Sequence, residues 1–136
     1  MKVAAPYDAY NRDAVTALVG KPYVTGVFDC WSLVEAVRRD IMHLPTPDYS
    51  ARTGVEDRSV AAYDIWYALS VDPWRPCETY PGAVCVFRIG RWHCHTGVSL
   101  GGMEFIHCLQ GRNTTIERLD RDGWAERLEG VFTWGN

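Results

Sequence analysis

Apolar positions recur along this chain with two different periods, and the change from one to the other divides it. Residues 8–19 (DAYNRDAVTALV) read as a short helix that stops at Gly20, with Lys21-Pro22 beyond it. PYVTGVF is β-branched and aromatic and breaks at Asp29. From Cys30 to about Met42 the spacing predicts a helix, because Leu33, Val34, Val37 and Ile41 fall on one face. Asp29 is a suitable N-cap, since its side chain can accept an amide hydrogen bond that would otherwise be unsatisfied. Cys30 then sits in the first turn. HLPTPDYSARTG is loop-like, and residues 55–71 read as a second helix with Ala62, Ile65, Trp66 and Leu69 in an apolar stripe. Pro73, Pro76 and Pro81 predict irregular chain after it.

Beyond Pro81-Gly82 the period shortens to two. AVCVFRI, HTGVSL, MEFIHCL and NTTIERL are short β-rich runs separated by glycine-containing turns. GWAERLEG predicts a turn of helix before a last strand, VFTW. Helices followed by an antiparallel meander indicate an α+β domain. No repeat, low-complexity tract or linker interrupts the 136 residues, so residues 1–136 are expected to form a single domain.

Composition narrows the function classes. Hydrophobic content of 47% with 23% charged residues is that of a globular chain. A formal net charge of −3 argues against nucleic acid as a partner. No apolar run approaches the roughly 18 residues that would span a bilayer, so no membrane insertion is expected. The start, MKVAAPYDAYNRD, lacks the apolar core of a signal peptide. Five cysteines, an odd number, do not suggest a disulfide framework and fit synthesis in a reducing compartment.

Chemistry concentrates at Cys30 and at two histidines. A thiol attacks as its anion, which a helix N-terminus and a nearby imidazole both favour. The position of Cys30 offers the first of these; the alternative is a cysteine buried on the apolar side of its helix. HTGVSLGGMEFIH reads as two strands around Gly101-Gly102. His95 and His107 are an even number of residues apart, and a three-residue loop centred on Gly101 would set them directly opposite each other. A two-residue loop would send them to opposite faces. Facing each other, they would complete a nucleophile, base and orienter with Cys30. His93 shares the phase of His95 and is a spare base. The run HCH at 93–95, with Cys85, Cys108 and His107, invites a zinc reading, but the paired cysteine knuckles of structural zinc sites are absent and no metal is expected. His43 at a helix end suits the dipole, Cys77 lies in a Pro-rich loop, and Trp66 and Trp124 read as core or groove wall.

Three segments carry a resemblance. GKPYVTGVFDCWSLV resembles the nucleophile segment of NlpC-type cysteine peptidases, G-x-P-Y followed by D-C and L-V. PGAVCVF is similar to that family's PGDLVFF strand, and HTGVSLGGMEFIH to its H-V-G-I-Y-L-G-x-G-x-F-I-H segment, with the same histidine spacing. The nucleophile segment, residues 20–34, and the tail HCLQGR, residues 107–112, together resemble the G-x-P-Y, G-V-x-D-C-Y-x-L-V and H-x-L-Y-G-R of lambda-like phage tail-tip assembly proteins. The resemblance implies a papain-like α+β fold, with N-terminal helices packed on an antiparallel sheet. It also implies Cys30 as nucleophile, His95 as base and His107 as third polar residue. Tyr23 would lie beside the nucleophile, to bind substrate or stabilise the oxyanion. Asp29 would either cap the helix or bind a substrate amine. Trp31 stands where cell-wall members have serine, and Ala83 replaces the usual acidic residue, so Trp31 is expected to reshape the groove. The implied activity is hydrolysis of peptidoglycan stem peptides at a D-glutamyl–diaminopimelate type bond, without a cofactor. The implied setting is assembly in the host cytoplasm and then the virion tail, with other phage tail-tip proteins as partners. The alternative is a structural tail-tip component that keeps the fold with little activity.

Overall fold

A computed structural model describes residues 10–49 and 58–134. Helix α1 (Arg12–Thr16) begins at Asn11, whose side chain accepts from the Ala14 amide at 3.1 Å. It is shorter than the pattern predicts, and residues 8 and 9 of that prediction lie outside the described residues. Helix α2 (Cys30–Glu35) runs on into a π-helical segment, Ala36–Ile41, so the expected helix is present but its second half is wound wider. There the Met42 amide bonds to the Val37 carbonyl at 2.9 Å, five residues back. Leu33, Val34 and Val37 are fully buried as their spacing requires.

Helix α3 spans Arg58–Val71; residues 50–57, which hold part of the expected loop and the expected helix start, lie outside the described residues. Its buried line runs through Ala62 and Ala68, with Ile65 and Leu69 facing a pocket. Trp66 falls just beyond the edge of that line and is 55% exposed, which corrects its reading as core or groove wall. The proline-rich stretch after α3 is not wholly irregular either. Trp74–Pro76 form strand β1, possible because β1 is an edge strand, where a missing amide costs no ladder bond.

Strands β2 (Val84–Ile89), β3 (Trp92–Gly101), β4 (Glu104–His107) and β5 (Thr115–Arg118) form the expected meander. A turn of helix, α4 (Trp124–Arg127), leads into β6 (Leu128–Trp134), which inserts between β1 and β2. The six-stranded sheet has the order β1-β6-β2-β3-β4-β5 with antiparallel pairs, an α+β architecture as expected. Side chains alternate across it and build two cores. Val84, Val98 and Ile106 pack with Leu33, Val34 and Val37 of the α2 region, while Cys85, Phe87 and Phe105 pack with Leu119 and Trp124.

Candidate active site

Asp29 caps α2 as its position suggests. The buried carboxylate accepts from the backbone amide and the hydroxyl of Ser32, each at 3.0 Å. Cys30, the first residue of α2, is partly exposed in a pocket that Tyr23, Asp29 and Trp31 also line. The Trp31 ring meets Tyr49 at 5.0 Å between centroids and Trp74 edge-on at 5.9 Å. Trp74 Nε1 donates to the Tyr49 hydroxyl at 3.1 Å, and that hydroxyl bonds to Asp72. Trp31 therefore belongs to an aromatic wall whose other members, Tyr49 and Trp74, the sequence reading did not single out. The pocket gathers the six residues expected at the site except His107.

The two histidines meet, but not as direct partners across the hairpin. His107 pairs with Gly97, Ile106 with Val98 and Phe105 with Ser99, with a bulge before Gly101 pairs with Glu104. The register is thus shifted by two residues from a hairpin centred on Gly101. An even shift preserves the face, so the imidazoles become diagonal neighbours. Gly97 makes this possible, for it leaves open the space between them: an added Cβ would lie 3.1 Å from the Cβ of His107. Nε2 of His95 and Nδ1 of His107 are 2.8 Å apart. Behind them is a residue the sequence reading missed. Glu117 Oε2 lies 2.5 Å from His107 Nε2, and its Oε1 accepts from Trp124 Nε1 at 3.1 Å. Its signal was available in outline: β5 pairs with β4 so that Glu117 opposes Phe105, on the face that His107 shares.

Burial governs the charges here. It pushes the His95 imidazole well below its ordinary value, with His107 as the second cause. Burial also lowers His107, against the opposing hydrogen bond and charge of Glu117. Both rings are neutral at neutral pH. The Cys30 thiol is pushed up by burial. The neighbour that opposes this is Thr96, which lies beside the sulfur and favours its anion. The buried Thr96 Oγ1 has no conventional hydrogen-bond partner among the described residues.

No hydrogen bond joins Cys30 to His95. Alternation along β3 turns Thr96 to the side that Val98 shares with α2, whereas the His95 ring packs among Phe87, His107 and Trp124. A thiol depressed by its helix and by an imidazole, expected from the sequence, is therefore not what the resting site holds. Desolvation is the largest influence on the thiol, and His95 is not among the groups that act on it.

The other singled-out residues are peripheral to this chain of contacts. His43 follows the π-helical segment with φ +57°, exposed. Cys77 is buried, not loose in its loop, and its amide donates to the Val131 carbonyl at 3.0 Å. Among the described residues, no group of three or more His, Cys, Asp or Glu side chains is placed to hold a metal ion.

No curated protein matches the chain. The NlpC/P60 family matches residues 20–133, which include Cys30, His95, His107, Glu117 and all but the last residue of the sheet. That family is one of cysteine peptidases and amidases acting on peptidoglycan. With a match over most of its length and helices packed on a six-stranded antiparallel sheet, the chain belongs to the NlpC/P60 family and has its papain-like α+β fold.

Proposed function

We propose that this chain is a cysteine endopeptidase that cuts peptidoglycan stem peptides, at the bond between D-glutamate and diaminopimelate, from within a phage tail tip. The observation that carries the reading is the ordered series His95, His107 and Glu117 behind the pocket that holds Cys30. In this scheme Cys30 is the nucleophile and His95 the base, with His107 orienting it. The amide of Cys30 at the start of α2 donates to the oxyanion, beside Tyr23. Because both groups rest neutral, the thiol proton passes to His95 during attack, once substrate fills the pocket and draws the two together. The protonated His95 then gives that proton to the leaving amine, and water releases the acyl-enzyme. No cofactor takes part. The aromatic wall of Trp31, Tyr49 and Trp74 would bound the groove for the peptide.

The phage setting rests on the sequence likeness at residues 20–34 and 107–112. It implies assembly in the host cytoplasm, carriage on the virion, and other tail-tip proteins as partners. One observation favours a second reading, a structural tail-tip component of low activity: Thr96, not His95, stands beside a thiol that burial keeps protonated. Digestion of purified sacculi, with product masses, separates the two. The hydrolase should release new amines and shortened stem peptides from intact glycan, and Cys30→Ala should release none. New reducing ends without new amines would reject a peptidase; no products at all would support the structural reading.

A further inference from the structure

The proton positions in the histidine series follow from its far end. Glu117 touches His107 Nε2 through one carboxylate oxygen, at 2.5 Å, while Trp124 Nε1 donates to the other at 3.1 Å. A carboxylate only accepts, so His107 Nε2 carries the hydrogen. A neutral imidazole protonated there offers Nδ1 as a lone pair. His95 Nε2, 2.8 Å from that lone pair, must then be the donor. Neutral His95 with its hydrogen on Nε2 is left with Nδ1 as its basic nitrogen, and His95 lines the pocket that contains Cys30.

We propose that Glu117 is the positioning residue that fixes hydrogen on Nε2 of both histidines and so presents Nδ1 of His95 as the base. The assignment rests on the hydrolase reading for its purpose, but its geometry stands apart from it. Without Glu117, His107 can carry its hydrogen on Nδ1 and donate toward His95. His95 Nε2 would then accept, and its hydrogen would move to Nδ1, the nitrogen needed for catalysis. An imidazolium at His107 would have the same effect, and burial, which lowers its proton affinity, works against that state. Trp124 serves the carboxylate in turn. Its indole is 4% exposed and stacks edge-on to His107 at 4.7 Å, which holds Glu117 in a single orientation.

The test is side-chain nitrogen NMR of the histidines in the full chain, which reads tautomers directly. In the wild type both His95 and His107 should be Nε2–H at neutral pH. Glu117→Ala should shift His95 toward the Nδ1–H form and lower kcat on stem peptide by about 10–100-fold with little change in KM. Glu117→Gln keeps one acceptor atom where two donors compete, His107 Nε2 and Trp124 Nε1, so it should give a mixture of the two tautomer arrangements and an intermediate kcat. Thermal unfolding of each variant identifies a loss that is only structural, and the glutamine variant retains the test should the alanine variant not fold. A wild-type His95 with hydrogen on Nδ1 would overturn the assignment, as would a folded Glu117→Ala with unchanged tautomers. A wild type with both hydrogens on Nε2 but no hydrolysis of sacculi would uphold the role of Glu117 and refute the hydrolase.

Discussion

Replacing Gly97 by alanine tests how closely the histidine pair is built. Gly97 lies in β3 directly opposite His107, and no left-handed conformation is needed there, so the backbone itself accepts alanine. What resists is space. The added Cβ would fall 2.9 Å from the Ile106 carbonyl oxygen, 3.1 Å from the His107 Cβ and 3.4 Å from the Phe105 ring. The first obstacle is backbone and cannot swing aside without opening the β3–β4 ladder; a smaller side chain at 106 would not relieve it. Alanine in place of glycine contributes roughly 0.4–1 kcal/mol by restricting the unfolded chain. Overpacking of this kind costs about 1–3 kcal/mol. The net is a loss of about 1–2 kcal/mol, or roughly 3–8 °C in Tm for a domain of this size. The same push moves His107 away from His95, so the 2.8 Å contact should lengthen and kcat should fall by about tenfold or more. Thermal unfolding by circular dichroism and hydrolysis of sacculi measure the two effects. A variant as stable and as active as the wild type would show that the hairpin has room to spare, and the account of Gly97 would be wrong.

Acid should destabilise the fold through the same histidines. Burial holds both below their ordinary value, so the unfolded chain gains protons that the folded chain refuses as pH falls below about 6.5, and stability present above that pH is lost. The slope should reach about 1.4 kcal/mol per pH unit per histidine, and His95→Gln should flatten it; a Tm that stays level from pH 7.5 to 5 would contradict this. Arg38 should prove a structural cation. It is 1% exposed, donates to the carbonyls of Gly82 at 2.5 Å and Pro45 at 2.7 Å, and is lowered by burial only to about 10, so it stays charged. Arg38→Met leaves the buried Gly82 carbonyl without this donor and should cost about 1–3 kcal/mol, seen as a lower denaturant midpoint at unchanged m; a loss under about 0.5 kcal/mol would refute the role.

The sequence showed the elements of the fold more fully than their connections. The period change after Pro81-Gly82 placed four strands, because alternation of buried and exposed side chains is a local property of each run. The place of β6 between β1 and β2 was not legible, since that pairing joins residues 74–76 and 84–87 to the chain's far end. Nor was β1, where two prolines mask a strand that only its edge position permits. Arg38 reads locally as one more charge on a helix. Its burial becomes visible only when the Pro45 and Gly82 carbonyls, from two loops, converge on it.

The site divides along the same line. Cys30 at a helix start and the even spacing of His95 and His107 are features of contiguous sequence, and their face was predictable even though the register was not. An even shift of register moves a partner along a strand without turning it over, so the histidines still met after the expected pairing had failed. Glu117 belongs to a different order of information. Its relation to His107 depends on β5 pairing with β4 in one register, and a carboxylate in NTTIERL reads as surface until that pairing exists. Yet it is the residue that decides what the histidines can do. Two buried neutral imidazoles in contact have two equivalent proton arrangements, and only one leaves Nδ1 of His95 as its basic nitrogen. Nothing within the pair chooses between them. The choice must come from a group that accepts and does not donate, anchored on the outer side of His107. Glu117, held by Trp124, supplies that asymmetry from a third strand.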